Sequence, residues 1–468
     1  MIIEQIYTGC LAQGAYYIES NGEVAIIDPL REVQGYIDRA ANNNAKIKYI
    51  FETHFHADFV SGHVTLAEKT GAKIVFGPTA KTNFESHIAT NNEVFKVGEL
   101  TITVLHTPGH TMESSCYLLK DAHGKDHALF SGDTLFLGDV GRPDLAQKSD
   151  VTEKDLAGFL FLSLRNKIMP LADDVIVYPA HGAGSACGKN LSKETIGTIG
   201  NQKETNYALR ADMTQEDFVK EVTDGLLPPP AYFPLNVKLN KEGYQSIEDV
   251  MKKSAKALSV KDFESIANET DAVILDVRHQ SEFIKGFIPR AIFIGIDGGF
   301  APWVGALIKD IAQPILLITP EGREEDTITR LSRVGFDNVL GYLEGSFAAW
   351  KIAGKEVDAL ASVSAAVLEQ KIKAKISVFD VRKPGEYASE HIKLAENTPL
   401  DFLNNHITKF PEKGDFFVHC AGGYRSVIAA SILKSRGYHN VMNVAGGYDA
   451  IRDTKIERIA SICPSTLK

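Results

Sequence analysis

The second half of this chain of 468 residues repeats itself. The segment AVILDVRHQSEFIKGFIPRAI (272–292) corresponds to ISVFDVRKPGEYASEHIKLAE (376–396), and VGFDNVLGYLEGSFAAW (334–350) corresponds to RGYHNVMNVAGGYDAIR (436–452). The offset of about one hundred residues is too long for a solenoid repeat and indicates a duplicated domain. Because each copy alternates strands and helices, we expect each to form a parallel sheet with right-handed crossovers.

Composition narrows the class of protein. Hydrophobic residues make up 44% and charged residues 24%, which is ordinary globular composition. The formal net charge is −10, so we expect no nucleic-acid partner. The chain has no apolar run of membrane-spanning length and no basic start followed by an apolar stretch, so we expect a cytoplasmic protein without a membrane partner. Five scattered cysteines, at positions 10, 116, 187, 420 and 463, are typical of cytosolic thiols rather than a disulfide framework.

In the first part of the chain, four predicted strands each run into a potential metal ligand. KIKYIFETH ends at His54, ELTITVLHTPGH at His110, HALFSGDTLF passes Asp133, and DVIVYPAH ends at His181. Together with a hairpin around the turn Asn-Gly at 21–22, these strands predict two sheets flanked by helices. The proline-rich stretch LLPPPAYFP (226–234) interrupts any helix or central strand, so we place the end of this first domain at residue 235.

The four strand ends predict a metal site. The segment Thr-His-Phe-His-Ala-Asp-Phe at 53–59 places further ligand-type side chains at alternate positions. One histidine alone is usually a satisfied polar residue, but several at successive strand ends, with two acids, are hard to explain by packing. The candidate ligands are His54, His56, Asp58, His110, Asp133 and His181.

These residues resemble the metallo-β-lactamase superfamily, whose pattern is H-x-H-x-D-H followed by a later His, an Asp and a final His. The resemblance implies an αββα sandwich over about the first 235 residues. One position departs from the pattern, because Phe59 stands where the third His is expected. Dinuclear members use that His on their second metal, so we expect a single metal ion.

The persulfide dioxygenase branch of the superfamily binds one Fe(II) per chain. The resemblance to that branch implies His54, His110 and Asp133 as ligands, a set of two histidines and one carboxylate that leaves room for O₂ and a substrate sulfur. His56, Asp58 and His181 would then orient the ligands and bound water. A hydrolase would use Zn²⁺ instead, which we keep as the alternative metal.

Three further residues of the first domain are open to two interpretations. Arg142, in a GRPD segment similar to that branch, either holds an acidic group of the substrate or makes a structural salt bridge. Tyr178 either directs its hydroxyl at the site or packs within a strand. Cys187 either takes up sulfur or senses oxidation, or is simply a small residue of its loop.

The last copy contains DFFVHCAGGYRSVIAASIL, a strand, a glycine-rich loop and a helix. With Asp380 and Arg382 upstream, it resembles the rhodanese sulfurtransferases over residues 360–468. The loop from Cys420 to Arg425 has the six-residue length that suits sulfur, and its amides together with the helix N-terminus favour a thiolate and a bound persulfide. We therefore predict Cys420 and Arg425 as catalytic and the intervening residues as substrate-binding: Ala421, Gly422, Gly423 and Tyr424.

The middle copy lacks this chemistry. The position matching Cys420 is Ile318 or Thr319, and Pro320 removes one amide from the loop. Several acidic residues crowd the helix start and repel anions. We therefore predict an inactive rhodanese-like domain over 236–359 that serves as a scaffold.

Our overall prediction is a multidomain α/β protein: an αββα metallo-β-lactamase sandwich over 1–235, then two parallel-sheet rhodanese domains, of which the second is active. This order resembles fused persulfide dioxygenase–sulfurtransferases of bacterial sulfide detoxification. The resemblance implies a low-molecular-weight thiol persulfide, O₂ and sulfite as partners, and we expect a homo-oligomer. Two alternatives are a Zn²⁺-dependent thioester hydrolase of the glyoxalase II type with an attached sulfurtransferase, and a sulfur-carrier protein.

Overall fold

The computed structural model describes residues 1–146, 150–189, 191–372 and 376–460. The chain forms two compact units: the first comprises Met1–Ile247 with Ser332–Gly335, and the second comprises Glu248–Leu331 with Phe336–Lys468. Within the described ranges, no helix is both long enough and apolar enough to cross a membrane. Four cysteines in these ranges carry free thiols, and Cys463 lies outside the described residues.

Two six-stranded sheets form the first unit. The first sheet runs in chain order through β1 (Ile2–Thr8), β2 (Gln13–Ser20), β3 (Glu23–Ile27), β4 (Lys46–Glu52), β5 (Lys73–Phe76) and β6 (His87–Ile88). The second has the order β12-β11-β10-β9-β8-β7, formed by β7 (Val94–Val97), β8 (Leu100–His106), β9 (Ser115–Lys120), β10 (Asp126–Gly132), β11 (Ile176–Pro179) and β12 (Gly197–Thr198). The predicted hairpin is present, because Asn21 and Gly22 take φ values of 49° and 77°, the positive region that a tight turn between β2 and β3 requires.

The helices of this unit are α1 (Gln34–Asn42), α2 (His63–Thr70), α3 (Glu153–Ser163), α4 (Ile199–Thr205), α5 (Gln215–Thr223) and α6 (Phe233–Glu242). One apolar core joins the facing sides of the two sheets and includes Phe51 and Phe130. A second lies between the first sheet and α1 and α2, and a third between the second sheet and α3 and α5. The layers therefore run helix, sheet, sheet, helix, as the sequence predicted.

The first unit continues past the predicted boundary at residue 235, which lies inside α6, to Ile247. The reason is a set of buried bonds from α6. The Asn240 amide donates to the carbonyls of His56 and Phe59, each at 2.8 Å, and its oxygen accepts the Ser61 N–H at 2.9 Å. Helix α6 thus holds the loop that carries the His-x-His-x-Asp segment.

The second unit contains two five-stranded sheets whose paired strands are all parallel. The middle sheet has the order β13-β17-β16-β14-β15 and consists of β13 (Ala257–Leu258), β14 (Val273–Asp276), β15 (Ile292–Phe293), β16 (Ile315–Ile318) and β17 (Val339–Leu343). The last sheet has the order β18-β23-β22-β19-β21, and a separate antiparallel pair joins β20 and β24. These strands are β18 (Ser362–Val363), β19 (Ser377–Asp380), β20 (Glu390–Ile392), β21 (Ala395–Asn397), β22 (Phe416–His419), β23 (Val441–Val444) and β24 (Arg458–Ala460).

Two sets of helices connect these strands. Those before and within the middle copy are α7 (Ile247–Ser254), α8 (Val260–Glu269), α9 (Gln280–Phe283), α10 (Phe300–Leu307), α11 (Glu324–Ser332) and α12 (Ser346–Ile352). Those of the last copy are α13 (Ala365–Lys371), α14 (Pro384–Ser389), α15 (Leu403–His406), α16 (Tyr424–Ser435) and α17 (Gly447–Arg452). The two sheets share one topology, which confirms the predicted duplication.

Both copies keep the same buried ion pair at the end of a central strand. In the middle copy the Arg278 guanidinium donates to both carboxylate oxygens of Asp276, with a shortest contact of 2.6 Å. Arg382 and Asp380 repeat this arrangement in the last copy, again with a shortest contact of 2.6 Å. Burial raises the pKa of Asp276, and the Arg278 bonds oppose that rise. The pair is therefore a support of the fold that both copies share.

We predict that Arg278→Ala destabilises the second unit by about 3–5 kcal/mol, because it leaves the fully buried Asp276 carboxylate without its partner. Urea unfolding followed by circular dichroism measures the change. Lys252→Ala, which removes the exposed ion pair with Asp249, is the matched control and should cost at most about 1 kcal/mol. Equal losses in the two variants would contradict a structural role for the buried pair.

Candidate metal centre and sulfur-transfer loop

The predicted ligands come together at one edge of the sandwich. Asp133 directly follows β10, His181 follows the parallel neighbour β11, His54 follows β4 of the other sheet, and His110 lies in the loop after β8. All four side chains are almost completely buried. Strand ends from two facing sheets thus supply ligands to one point.

His54, His110 and Asp133 form one of these groups. The Asp133 Oδ2 atom lies 3.4 Å from Nε2 of His110 and 3.8 Å from Nε2 of His54. Two atoms that each lie about 2.1 Å from one ion are at most about 4.2 Å apart, so both separations suit ligands of one metal ion. The three candidate ligand atoms lie within 4.8 Å of one another.

Hydrogen bonds orient both imidazoles towards Asp133. The Nδ1 atom of His110 lies 2.8 Å from the carbonyl oxygen of Arg142, and Nδ1 of His54 lies 3.0 Å from Oγ1 of Thr53. The Thr53 hydroxyl donates in turn to Asp28 at 2.8 Å. Because each Nδ1 is occupied as a donor, each Nε2 is free to act as a metal ligand.

The electrostatics of the group suit a cation. Burial, followed by the neighbouring histidines, lowers the pKa of His54 well below its usual value, so this ring is neutral at pH 7 as a ligand must be. Both carboxylate oxygens of Asp133 and Nε2 of His181 are buried without a hydrogen-bond partner in the described part of the chain. Such orphaned buried atoms are costly unless an ion satisfies them, so the residues fit a metal.

His56, Asp58 and His181 form a second group, also with candidate ligand atoms within 4.8 Å. His181 Nε2 lies 3.4 Å from Asp58 and 3.6 Å from Asp133. Nε2 of His56 lies 3.0 Å from Asp28, and the ring of Phe59 lies against His56 with centroids 4.4 Å apart. Burial acts to lower the pKa of His56, but the carboxylates of Asp28, Glu52 and Asp58 raise it to about 9.

The structure shows what Arg142, Tyr178 and Cys187 contact. Arg142 forms a forked bond with Asp144, both contacts at 2.6 Å, and also donates to two backbone carbonyls. The Tyr178 ring packs in the core, stacked on Phe130 at 5.2 Å. Cys187 is brought to the metal centre, where its sulfur groups with Asp133 and His181, and burial raises its pKa well above the usual value.

The Cys420 loop lies between β22 and α16. The Gly423 N–H donates to Sγ of Cys420 at 3.1 Å, and Sγ lies 3.5 Å from the Ser426 hydroxyl. The carbonyls of Cys420 and Ala421 point the other way and accept the N–H groups of Tyr448 and Asp449 at the start of α17, at 2.7 and 3.1 Å. Helix α17 thus holds those two carbonyls, and the Gly423 amide bonds to the sulfur.

Glycine is required beneath this loop. A Cβ on Gly447 would lie 2.3 Å from the Ala421 carbonyl oxygen, and Gly447 has a positive φ of 55°. Gly423 caps α16 with φ 105°, which favours glycine in the same way. At Gly422 a Cβ would meet nothing closer than an Asp449 oxygen at 3.8 Å, so the available space does not require glycine there.

At the end of the loop, Arg425 forms a forked ion pair with Glu386, with contacts of 2.6 and 2.8 Å. Bonding to Arg425 lowers the pKa of Glu386, and bonding to Glu386 raises that of Arg425. The hydroxyl of Tyr424 leaves the loop and donates to the carbonyl of Gly295 in the middle copy, at 2.9 Å.

The structure resolves which middle-copy residue matches Cys420. Asp276 pairs with Ile318 and Asp380 pairs with His419, so the next residue, Thr319, occupies the position of Cys420. Gly322 then matches Gly423, and its N–H bonds at 3.2 Å not to sulfur but to the carboxylate of Glu324, which also lies 3.2 Å from the Thr319 hydroxyl. In the middle copy, an acid of the loop itself thus takes the amide bond that the sulfur receives in the last copy.

Three supporting residues were missed by sequence reasoning: Asp28, Asn240 and Glu386. Asp28 follows a strand in the segment EVAIID, and Glu386 belongs to the repeated segment that contains Arg382, so both carried a positional signal. Asn240 carried none, because it lies 184 residues from the carbonyl it supports.

Both halves of the chain match known protein families. Residues 8–181 match the model of the metallo-beta-lactamase superfamily, and residues 259–353 and 364–454 each match that of the rhodanese-like domain. A metallo-beta-lactamase structure from Staphylococcus aureus subsp. aureus COL is 30% identical, with a TM-score of 0.64, covering 73% of this chain and 98% of that one. These matches confirm the predicted fold class and domain order.

Two curated relatives each match somewhat more than a third of this chain. A hydroxyacylglutathione hydrolase of Polaromonas sp. (strain JS666) is 31% identical over 187 residues, covering 39% of this chain and 66% of that protein. A probable hydroxyacylglutathione hydrolase of Schizosaccharomyces pombe is 31% identical over 161 residues, covering 34% of this chain and 58% of that protein. The chain thus spans less than two thirds of the length of these relatives.

We predict that Phe59→His raises the metal content from one to two Zn²⁺ ions per chain. A histidine there would join His56, Asp58 and His181 in place of an apolar ring. Atomic emission after dialysis measures the stoichiometry. Phe55→His, a buried position whose ring packs against Phe76 instead, is the control and should leave one ion. Two ions in the unaltered protein would refute the single-metal interpretation.

Proposed function

Because the chain belongs to the metallo-β-lactamase superfamily and carries two rhodanese-like domains, we propose that it is an iron-dependent persulfide dioxygenase joined to a thiosulfate-forming sulfurtransferase. The observation that carries the proposal is the buried group of His54, His110 and Asp133. Two imidazoles and one carboxylate are the ligand set of non-haem Fe(II) oxygenases. The Cys420 loop on the same chain supplies the sulfur chemistry that a hydrolase does not need.

The first reaction oxidises the outer sulfur of a low-molecular-weight thiol persulfide. Persulfide, O₂ and water give the free thiol, sulfite and two protons, so sulfur loses the four electrons that O₂ gains. His54, His110 and Asp133 would hold Fe(II), which would supply the O₂ chemistry. Arg142 and Thr53 hold the two imidazoles in the ligand orientation, and Asn240 holds the adjacent loop.

The second reaction uses Cys420. A second persulfide passes its outer sulfur to the Cys420 thiolate and leaves as free thiol. Sulfite then attacks that sulfur, the S–S bond to Cys420 breaks, thiosulfate leaves, and the thiolate is restored. The amide of Gly423 stabilises negative charge on Sγ in both steps, since it donates to that atom.

Arg425 contributes to anion binding through its position at the loop end. Its guanidinium is held by Glu386, so its charge is fixed beside the loop rather than free to swing. We propose that it offsets the charge of the approaching sulfite, while Glu386 sets its orientation.

We predict that Cys420→Ser keeps oxygen uptake but stops thiosulfate formation, because only the second reaction needs that sulfur.

His110→Ala should lose bound iron and reduce oxygen uptake at least about 100-fold, as expected for the loss of a ligand or its support. The measurement is oxygen consumption by iron-loaded protein given glutathione or coenzyme A persulfide, with sulfite and thiosulfate quantified. Cys10→Ser, at a half-buried cysteine of the first unit, is the control and should form thiosulfate normally.

Two results would overturn these assignments. Undiminished thiosulfate production by Cys420→Ser would remove Cys420 from the reaction. Turnover of persulfide by the unaltered, iron-loaded protein without any oxygen consumption would point to a sulfur carrier instead.

The names of the curated relatives favour a second candidate, a thioester hydrolase of the glyoxalase II type. The second buried group, His56, Asp58 and His181, would then help to hold Zn²⁺. We predict slow or no hydrolysis of S-lactoylglutathione, because Phe59 takes a ligand position of the second metal. Rapid hydrolysis by Zn²⁺-loaded protein, unchanged without oxygen, would establish the hydrolase in place of the dioxygenase.

A further inference from the structure

We propose that Tyr424 is a positioning residue for the Cys420 loop, and that the inert middle copy serves to hold it. The inference rests on the proposed sulfurtransferase role of Cys420. It gives the middle copy a defined role, because that copy fixes, through one side chain, the loop whose amide bonds to the reactive sulfur.

The main chain of Tyr424 is part of the Cys420 loop, but its side chain contacts the middle copy. It directly follows Gly423, whose N–H donates to Sγ of Cys420, and precedes Arg425. Its hydroxyl donates to the Gly295 carbonyl at 2.9 Å, and its ring meets Phe293 edge-on with centroids 5.9 Å apart. Contacts that hold this side chain therefore restrain the main chain next to the Gly423 amide.

Two glycines of the middle copy make the slot for this ring. A Cβ on Gly298 would lie 2.4 Å from Cζ of Tyr424, far inside contact distance, and one on Gly295 would lie 3.3 Å from Cε2. The slot exists at this depth only because Gly298 has no side chain. The adjacent Gly299 has room for one, since a Cβ there would lie 3.4 Å from Trp303, an ordinary contact distance.

A second bond fixes the direction of the helix that begins at Tyr424. Ser431 lies seven residues later, two turns along α16 and on the same face. Its hydroxyl accepts the N–H of Phe293 at 2.9 Å. Tyr424 and Ser431, on one face of α16, are thus both hydrogen-bonded to the segment that starts at β15. Helix α16 therefore cannot rotate without breaking one of these two bonds.

The loop of the middle copy that matches the Cys420 loop also contacts the slot segment. Arg323, which occupies the position of Tyr424 in that copy, forms an ion pair with Asp297 at 3.2 Å and another with Asp326 at 2.6 Å. Asp297 lies between Gly295 and Gly298 in sequence. The loop of the middle copy that matches the Cys420 loop is thus joined by an ion pair to the segment that receives Tyr424.

The experiment compares Gly298→Ala with Gly299→Ala in the full-length protein. The added methyl of Gly298→Ala should expel the Tyr424 ring and displace the Gly423 amide. We expect transfer from thiosulfate to cyanide to fall at least about tenfold, as for loss of one oriented donor to a charged sulfur. We also expect the pH–rate profile for iodoacetamide labelling of Cys420, followed by mass spectrometry of its peptide, to move to higher pH. Gly299→Ala should match the unaltered protein in both.

Tyr424→Phe keeps the ring and removes only the bond to Gly295, so it tests the same idea if Gly298→Ala does not fold. It should lose about two- to tenfold in transfer rate, the range of a single hydrogen bond. Oxygen uptake should be unchanged in all three variants, because none touches the first unit's metal ligands.

An unchanged labelling profile in both Gly298→Ala and Tyr424→Phe would overturn the positioning role. Absence of sulfur transfer in the unaltered protein would instead refute the proposed sulfurtransferase, while the labelling profiles would still decide whether the middle copy holds the loop.

Discussion

The metal centre depends on bringing several ionisable groups into a nearly water-free edge of a sandwich. Burying a carboxylate such as Asp133 is costly unless opposite charge and hydrogen bonds compensate. The protein supplies that compensation through successive hydrogen bonds. The Arg142 carbonyl and Thr53 orient the imidazoles, Asp28 holds Thr53, and helix α6 holds the loop of His56. The apolar sheets and helices position these hydrogen-bonding groups. The buried carboxylate oxygens of Asp133, which have no hydrogen-bond partner in the described residues, are the reason why the site suits a cation.

The duplicated half shows that two different loops can stand on the same fold. Both copies retain the buried Asp–Arg pair and the parallel sheet around it, so the fold does not depend on the reactive loop. The loops differ at two decisive positions. Cys420 and Arg425 give one copy a nucleophile and a fixed cation, whereas Thr319 and Glu324 give the other a hydroxyl and an internal acid that takes the loop's own amide bond.

Placing both proposed reactions on one chain has a kinetic consequence. Sulfite formed by the first reaction is the acceptor in the second, and a tether raises its local concentration at the second site. The persulfide serves both reactions, since it is oxidised in one and donates sulfur in the other. The fused arrangement therefore suits a pathway that ends in thiosulfate rather than in free sulfite.

The sequence by itself determined the domain order, the αββα layers, the duplication, and the identity of the candidate ligands and of Cys420. Those features are local: strand periodicity, the turn at Asn21–Gly22, and ligand residues placed just after strands. It left open whether Thr319 or Ile318 matches Cys420 and what Arg142 contacts, and it ended the first domain at residue 235, inside α6. Tertiary structure decided those points, because each depends on residues distant in the chain. Strand register assigned Thr319, packing placed Cys187 beside Asp133, and Asn240 reached back 184 residues to the ligand loop. The contact between Tyr424 and the slot of the middle copy, 129 residues away, has no local signal at all. Hydrogen bonds and steric fit between such residues exist only after the chain has folded, so no local pattern could have revealed them.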